Sequence, residues 1–418
     1  MAEYKEPLIG RLAAAFAVLL IVLQPLLLAM SAKWSHIAGQ AIFIVGLLQL
    51  LWQAVRRDFS SSWSEVRDAG LAAAPFLLLA ASLAASIAAN PQVASDHKRM
   101  YDATLALGGL VFGLRSRRVA SVWWLACVVA ALLMAGQSIY EVYGIGADRA
   151  RGYHFWVSWG TMGLALGVLP LLAQPPGWQQ GWARWVGWLG AAAGLCTAWL
   201  SGSRAVWLCA AILLAWRLGR RRPWLVLSGA GLLLLGATLI LPSGVQRWHM
   251  ISTDLDQFLA GNADTSLGLR LVMWREALAA WYSQPWLGLG PDGFHPWLIH
   301  VVEARRGPIN LAAHGHAHNE LLNALLSGGL PGALVTALLY LLPWRAFSRA
   351  ESRVANAQTV AVSRAGKALI LIFVMVGLTD TLLIHTFLFM FYAVSILLLL
   401  GWSVPLRRGS MPRPQSSA

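Results

Sequence analysis

The 418-residue chain is 58% hydrophobic and only 12% charged, with a mean hydropathy of +0.60. Soluble domains carry about 25% charged residues, so a soluble globular protein is excluded. The formal net charge of +14 points to arginines in cytoplasmic loops rather than to nucleic acid.

Apolar runs of roughly 17 to 25 residues fit helices that cross a ~30 Å hydrocarbon core. The alternation of a closed barrel is absent. The fold class is therefore an all-α polytopic membrane protein with about twelve transmembrane helices. They fall near 9–30, 36–54, 70–88, 101–114, 119–137, 156–173, 184–200, 203–216, 224–241, 318–344, 366–379 and 386–403. The first run carries Lys5 and Arg11 ahead of it, but its apolar core is longer than that of a signal peptide and reads as a membrane anchor. Cys127, Cys196 and Cys209 lie inside apolar runs, so neither a disulfide framework nor a thiolate metal site is expected.

Basic residues set the orientation. Arg56 and Arg57, then Arg115, Arg117 and Arg118, then Arg217 and Arg220 to Arg222 follow every second span. Arg345, Arg349, Arg353, Arg364 and Lys367, and finally Arg407 and Arg408, continue the series. This side is cytoplasmic by the positive-inside bias, with both termini on it. The histidines (36, 97, 154, 249, 295, 300, 314, 316, 318 and 385) then fall on the outer side or just beneath it. So do Lys98, Arg99, Arg149, Arg151, Arg204, Arg247, Arg270, Arg275, Arg305 and Arg306. Cations where insertion disfavours them fit an anionic ligand, and histidines supply proton exchange near neutral pH. The working face is expected to be external.

The organisation expected is spans one to nine over 1–241, a large outer loop over 242–317, spans ten to twelve over 318–408 and a cytoplasmic tail over 409–418. A loop that long is usually functional or folded in its own right. Inside it Leu271, Trp274, Leu278 and Trp281 repeat at helical spacing, with Arg270, Arg275 and Glu276 beside them. This predicts an amphipathic helix on the bundle or at the interface. A second short helix is predicted from Pro291 to about Glu303, entered through Gly288, Gly290 and Pro291.

Two positions stand out for chemistry. Twelve residues separate Arg204 from Arg217, which as helix cover ~18 Å and fall short of the core. Arg204 thus lies below the outer surface, either snorkelling to a loop carbonyl or clamping a recessed phosphate bidentately. His318 opens the helix that follows the loop, as a cap or as a general base toward a hydroxyl. Gly329 and Gly332 return to nearly its face if the helix stays continuous, although Pro331 can break it. His314 and His318 would share a helix face, as some zinc ligands do, but no carboxylate stands at ligand spacing except Glu320, which points elsewhere. A metal is not expected, nor any other cofactor. An arginine on an exposed loop helix is ordinarily just solvated, and Arg270 gains weight only because its loop precedes His318. Asp380 is explained by a Thr379–Asp380–Thr381 turn or an N-cap.

These residues resemble the O-antigen ligase family. His318-Asn319, nine residues, Gly329, two residues and Gly332 match that family's histidine motif, and Arg204 with Leu208 matches its RxxxL pattern at the outer end of a span. The layout is similar along nearly the whole chain. The resemblance implies a GT-C-like membrane glycosyltransferase, inverting and metal-independent. Its donor would be undecaprenyl-diphosphate-linked O-antigen and its acceptor a sugar hydroxyl of lipid A-core, at the periplasmic face of the bacterial inner membrane. His318 corresponds to the base, Arg204 to an arginine on the donor diphosphate, and Arg270 or Arg275 to a further loop arginine. Asn319 accompanies them in the motif as a substrate-binding candidate. Membrane lipids are the remaining partners expected, and nucleic acid is not. A polysaccharide polymerase or a protein O-oligosaccharyltransferase would use related chemistry. A transporter would favour charges near mid-membrane and inverted repeats, which are not evident.

Overall fold

The computed structural model describes residues 8–56, 63–91, 97–117, 120–173, 175, 181–218, 253–353 and 356–404. The expected ninth span at 224–241, the first residues of the large loop and the tail at 409–418 lie outside the described residues.

Among the described residues the secondary structure is helical throughout, as apolar runs without alternation require. The helices are α1 (Leu8–Met30), α2 (Ala32–Arg56), α3 (Trp63–Ala89), α4 (His97–Leu105), α5 (Leu107–Ser116) and α6 (Ala120–Ile139). There follow α7 (Trp156–Ala173), α8 (Ala183–Leu200), α9 (Arg204–Leu218), α10 (Ser266–Ser283) and α11 (Phe294–Glu303). The last are α12 (Glu320–Arg353), α13 (Ala357–Gly377) and α14 (Thr386–Ser403). Seven helices among the described residues are long and apolar enough to cross a membrane, with shorter apolar helices at Ala15–Met30 and Arg204–Leu213. The protein is a multi-pass membrane protein. The run expected at 101–114 is divided at Ala106 into α4 and α5.

Helix α14 is the most enclosed element, with every residue from Leu388 to Ser403 buried. It packs on α5, α13 and α2. A helix apolar on all sides belongs in the centre of a bundle, and α14 occupies it.

The two ends of the bundle differ in chemistry. At one end Arg353 and Arg349 meet Asp68, and Arg364 and Lys367 meet Glu351. Beside them Arg117 donates to the Val404 carbonyl and, at 3.0 Å, to Thr359 Oγ1. At the other end His154, His314, His316, His318 and His385 gather. The charge pattern of the sequence thus corresponds to two real ends of the molecule.

Helices α10 and α11 form a small cap with a core of its own, built from Val272, Met273, Ala277, Ala280, Phe294, Leu298, Val301 and Leu311. The expected stripe on α10 is corrected here. Val272, Met273, Ala277 and Ala280 face inward, whereas Leu278 is 48% exposed. Trp274 and Trp281 sit at the edge of the stripe and spend their indole N–H groups on the carbonyls of Ala317 and Pro285. Small residues face the bundle because the cap helix lies close against α12. The second short helix is found at Phe294–Glu303, within the predicted range.

Helix α12 does not run continuously from the histidine motif. It breaks at Gly328 (φ −147°, ψ 17°) and Gly329 (φ 61°, ψ −155°), not at Pro331. Gly329 holds a backbone conformation that is essentially open only to glycine. A Cβ there would also lie 2.3 Å from the Trp286 carbonyl oxygen. The break lets the 285–289 turn dock, with Leu330 N–H donating to Pro285 O at 2.8 Å and Leu289 N–H to Leu326 O at 2.7 Å. Ser86 on α3 closes the same junction through the Leu287 and Ser327 carbonyls. Gly329 therefore couples the cap to the bundle rather than sharing a helix face with His318.

Candidate active site

His318 is not part of α12. It precedes the helix in a left-handed conformation (φ 47°), which costs a non-glycine residue about 1 kcal/mol or more. The surroundings impose it. Asn319 is the cap: its Oδ1 accepts from the Leu321 and Leu322 amides, each at 3.1 Å, and its Nδ2 donates to Leu378 O at 3.0 Å. Ala317 is fully buried and its carbonyl accepts from Trp274 Nε1 at 2.9 Å. His318 is thus held between a pinned carbonyl and a capped helix.

Its partner is Asp380. His318 Nδ1 lies 3.0 Å from Asp380 Oδ1, with the two side chains 20% and 17% exposed. The same oxygen accepts from the Thr381 amide at 2.8 Å. Burial alone would raise the Asp380 carboxyl, but the His318 hydrogen bond and the facing imidazole hold it below the ordinary aspartate value. An ionised carboxylate can only accept, so Nδ1 is the nitrogen that donates, and whenever the ring is neutral its lone pair lies on Nε2. Asp380 is the residue that sequence reasoning assigned to a turn. It does form one, through Thr381, and it also orients the imidazole.

A second carboxylate fixes that turn. Glu320, the first residue of α12, is buried and accepts from the Leu382 and Leu383 amides at 2.6 and 2.9 Å. Arg99 on α4 donates to the Leu383 carbonyl at 3.0 Å. Residues 318–320 and 378–383, far apart in sequence, are therefore tied through His318, Asn319 and Glu320 in turn. Glu320 does point away from the histidines, as its helix position indicated.

Other aromatic rings crowd round the pair. His316 lies 4.3 Å and His314 5.4 Å from His318 between ring centroids. His385 is 6.4 Å from His316, and His154 stacks on Phe387 at 4.1 Å. Burial, followed by the like charge of His318, pushes His316 down to about 4. Burial and then His385 push His154 down to about 4 as well. Both are neutral at physiological pH. The expected pairing of His314 with His318 on one helix face does not occur, because α12 begins only at Glu320. One nitrogen each from His316 and His318 and an Asp380 oxygen lie instead within 4.8 Å of one another, so these three side chains have ligand types and spacing that an ion can use.

The remaining candidates fall at the same end of the bundle. Arg204 is the first residue of α9 and is half-buried. The Leu200 carbonyl just before it accepts from Ala150 N–H at 2.8 Å, and Glu141 fixes that loop through the Arg151 and Gly152 amides. The loop leads directly to His154, which contacts Phe387 beside His385. The 150–154 loop thus links the end of α8, four residues before Arg204, to the histidines. The two loop arginines separate clearly. The positive charge of Arg270 acts on His314, after burial and His318, to lower it. Arg275 is 63% exposed and pairs with its neighbour Glu276 at 2.9 Å.

Residues 189–337 match the family model described as O-antigen ligase. That region contains Arg204, Arg270, Arg275, His318, Asn319, Gly329 and Gly332, and stops short of Asp380. No curated protein matches the chain.

Proposed function

The chain carries the O-antigen ligase region within a multi-pass helical membrane protein, and we propose that it transfers a lipid-linked glycan to a lipid acceptor at its histidine-rich face. The donor is undecaprenyl-diphosphate-linked O-antigen and the acceptor a sugar hydroxyl of lipid A-core. The site faces the periplasm from the inner membrane, and both termini are cytoplasmic.

His318 Nε2 removes the proton from the acceptor hydroxyl as that oxygen attacks the anomeric carbon. The bond from this carbon to the diphosphate oxygen breaks on the opposite face, so configuration inverts and the lipid diphosphate leaves. Asp380 keeps the proton on Nδ1 and stabilises the imidazolium that forms, the role a buried carboxylate plays beside a histidine base. Arg204, at the positive end of α9, meets the donor diphosphate, and Arg270 completes the anion site. Fixed guanidinium groups stabilise charge developing on the leaving group without reorganisation, so no metal step is required. Asn319 and Glu320 position the base and its partner; Arg275 stands aside with Glu276.

The observation that carries this reading is the His318–Asp380 pair at 3.0 Å within a chain matched to the family. Purified protein given lipid-diphosphate glycan and candidate acceptors tests it. Capping of lipid A-core, lost in Arg204→Ala and His318→Ala, is expected. Elongation of the lipid-linked glycan without lipid A-core would assign a polymerase, and glycan movement across vesicles without covalent product would overturn both.

A further inference from the structure

His316, His318 and Asp380 present two imidazole nitrogens and a carboxylate oxygen within 4.8 Å of one another. A tetrahedral Zn(II) with bonds near 2.0–2.1 Å needs its ligand atoms roughly 3.3 Å apart. His318 Nδ1 and Asp380 Oδ1 already stand at 3.0 Å, so for an ion on Nδ1 only the His316 ring has to move, by at most about 1.5 Å by that comparison. The backbone that carries both rings is fixed: the Ala317 carbonyl is bonded to Trp274, and the His314 carbonyl faces His295 Nδ1 at 3.0 Å. Two imidazoles and one carboxylate suit Zn(II) and its neighbours in the transition series, not Mg(II) or Ca(II), which prefer oxygen ligands. The nearby cations act against a dication, but the Arg99 charge is faced by buried Glu320, and the Arg270 charge acts on His314.

We infer that His316, His318 and Asp380 form an inhibitory Zn(II) site superimposed on the transferase centre. The inhibition rests on His318 being the base as proposed above; the binding does not. Either ring nitrogen gives the same outcome. On Nε2 the ion takes the lone pair that accepts the acceptor's proton. On Nδ1 it takes the place of the ring proton and its bond to Asp380, and that proton moves to Nε2. The base is lost in both cases, and the ring stays neutral as a metal-bound imidazole does. His316 has no assigned part in the proton transfer, so its removal separates the two functions.

The test uses full-length protein in nanodiscs, stripped with EDTA, and ZnCl2 as the probe. Zinc stoichiometry and affinity are measured by metal analysis and calorimetry for wild type, His316→Gln and Asp380→Asn, with thermal midpoints to verify folding. One zinc per chain is expected, with affinity at least about tenfold weaker in both variants, the minimum for losing a metal-site interaction, and no competition from MgCl2 or CaCl2. In the transfer assay zinc inhibits wild type, EDTA restores it, and His316→Gln requires at least tenfold more zinc for the same inhibition. Wild-type zinc affinity in a folded His316→Gln variant overturns the site, as does a wild type that binds no zinc. If no transferase activity is found at all, the ligase reading fails while the binding arm still decides this one.

Discussion

Replacement of Asp380 separates an orienting carboxylate from a merely structural turn. Asp380→Asn keeps an oxygen that can accept from both His318 Nδ1 and the Thr381 amide, the two partners of Oδ1, but removes the charge. A hydrogen bond to a charged group contributes about 1.5–3 kcal/mol and a neutral one about 0.5–1.5, a difference near 1.4 kcal/mol or about tenfold in rate. Asp380→Ala removes the acceptor as well and lets the ring rotate or exchange tautomers, so roughly a hundredfold loss is expected from the full charged bond. The effect belongs in kcat, because Asp380 acts on the base and not on substrate binding. The assay is glycan transfer to lipid A-core at saturating donor, with thermal midpoints measured in parallel. Full turnover in a folded Asp380→Ala protein, with His318→Ala inactive, would refute the reasoning. Equal loss in the Asn and Ala variants would instead assign all of the effect to charge.

Arg275→Ala, on an exposed side chain paired with Glu276, should change kcat/KM by less than about twofold, whereas Arg270→Ala should lower transfer by tenfold or more through loss of one charged contact. Gly329→Ala should prevent docking of the 285–289 turn, because φ is 61° and the added Cβ would meet the Trp286 carbonyl at 2.3 Å. It is checked by monodispersity and thermal midpoint in detergent, and a midpoint equal to wild type would contradict the junction described. His154 and His316 are both held near 4 in the folded protein. Unfolded imidazoles bind protons below about 6.5, so stability is complete above that pH and is lost as pH falls toward 4. The loss by pH 5 is on the order of 2 kcal/mol per histidine. Thermal midpoints from pH 7.5 to 5 should fall, and should fall less in His154→Asn and His316→Asn; identical profiles would exclude these groups. Transfer by EDTA-treated protein should not fall below that of untreated protein, and a requirement for added divalent metal would contradict the arginine-based stabilisation of the leaving group.

The ends of the bundle were legible in the sequence because they rest on long-range composition. Apolar run length marked α7 and α14 to the residue, and the spacing of Arg117, Arg349 and Arg353 against His318 and His385 separated the arginine-bridged end from the histidine end. His318 was legible through its motif and Arg204 through the shortness of its helix. The pair between His318 and Asp380 was not, since the two are 62 positions and two helices apart and a Thr-Asp-Thr turn explains the aspartate locally. The signal available was a second one: an aspartate and a histidine five residues apart, interrupting an otherwise apolar stretch. Glu320 was invisible because its partners are backbone amides, which carry no residue identity. The Gly328–Gly329 break was hidden by Pro331, a stronger breaker in isolation. What decides there is the Trp286 carbonyl arriving from the cap, a tertiary contact that propensity does not contain. The inward face of α10 was misjudged for a related reason. Large apolar residues mark a face that meets lipid or loop, while close approach to α12 selects Ala277 and Ala280.

The central claim is that His318 is the base of a glycosyl transfer, and its most direct measurement is single-turnover capping of lipid A-core by reconstituted wild type and His318→Ala. General-base catalysis contributes about 10²–10⁴-fold. The account predicts a loss in that range, with the variant folded and still binding lipid-diphosphate glycan. Capping by His318→Ala at the wild-type rate would contradict it.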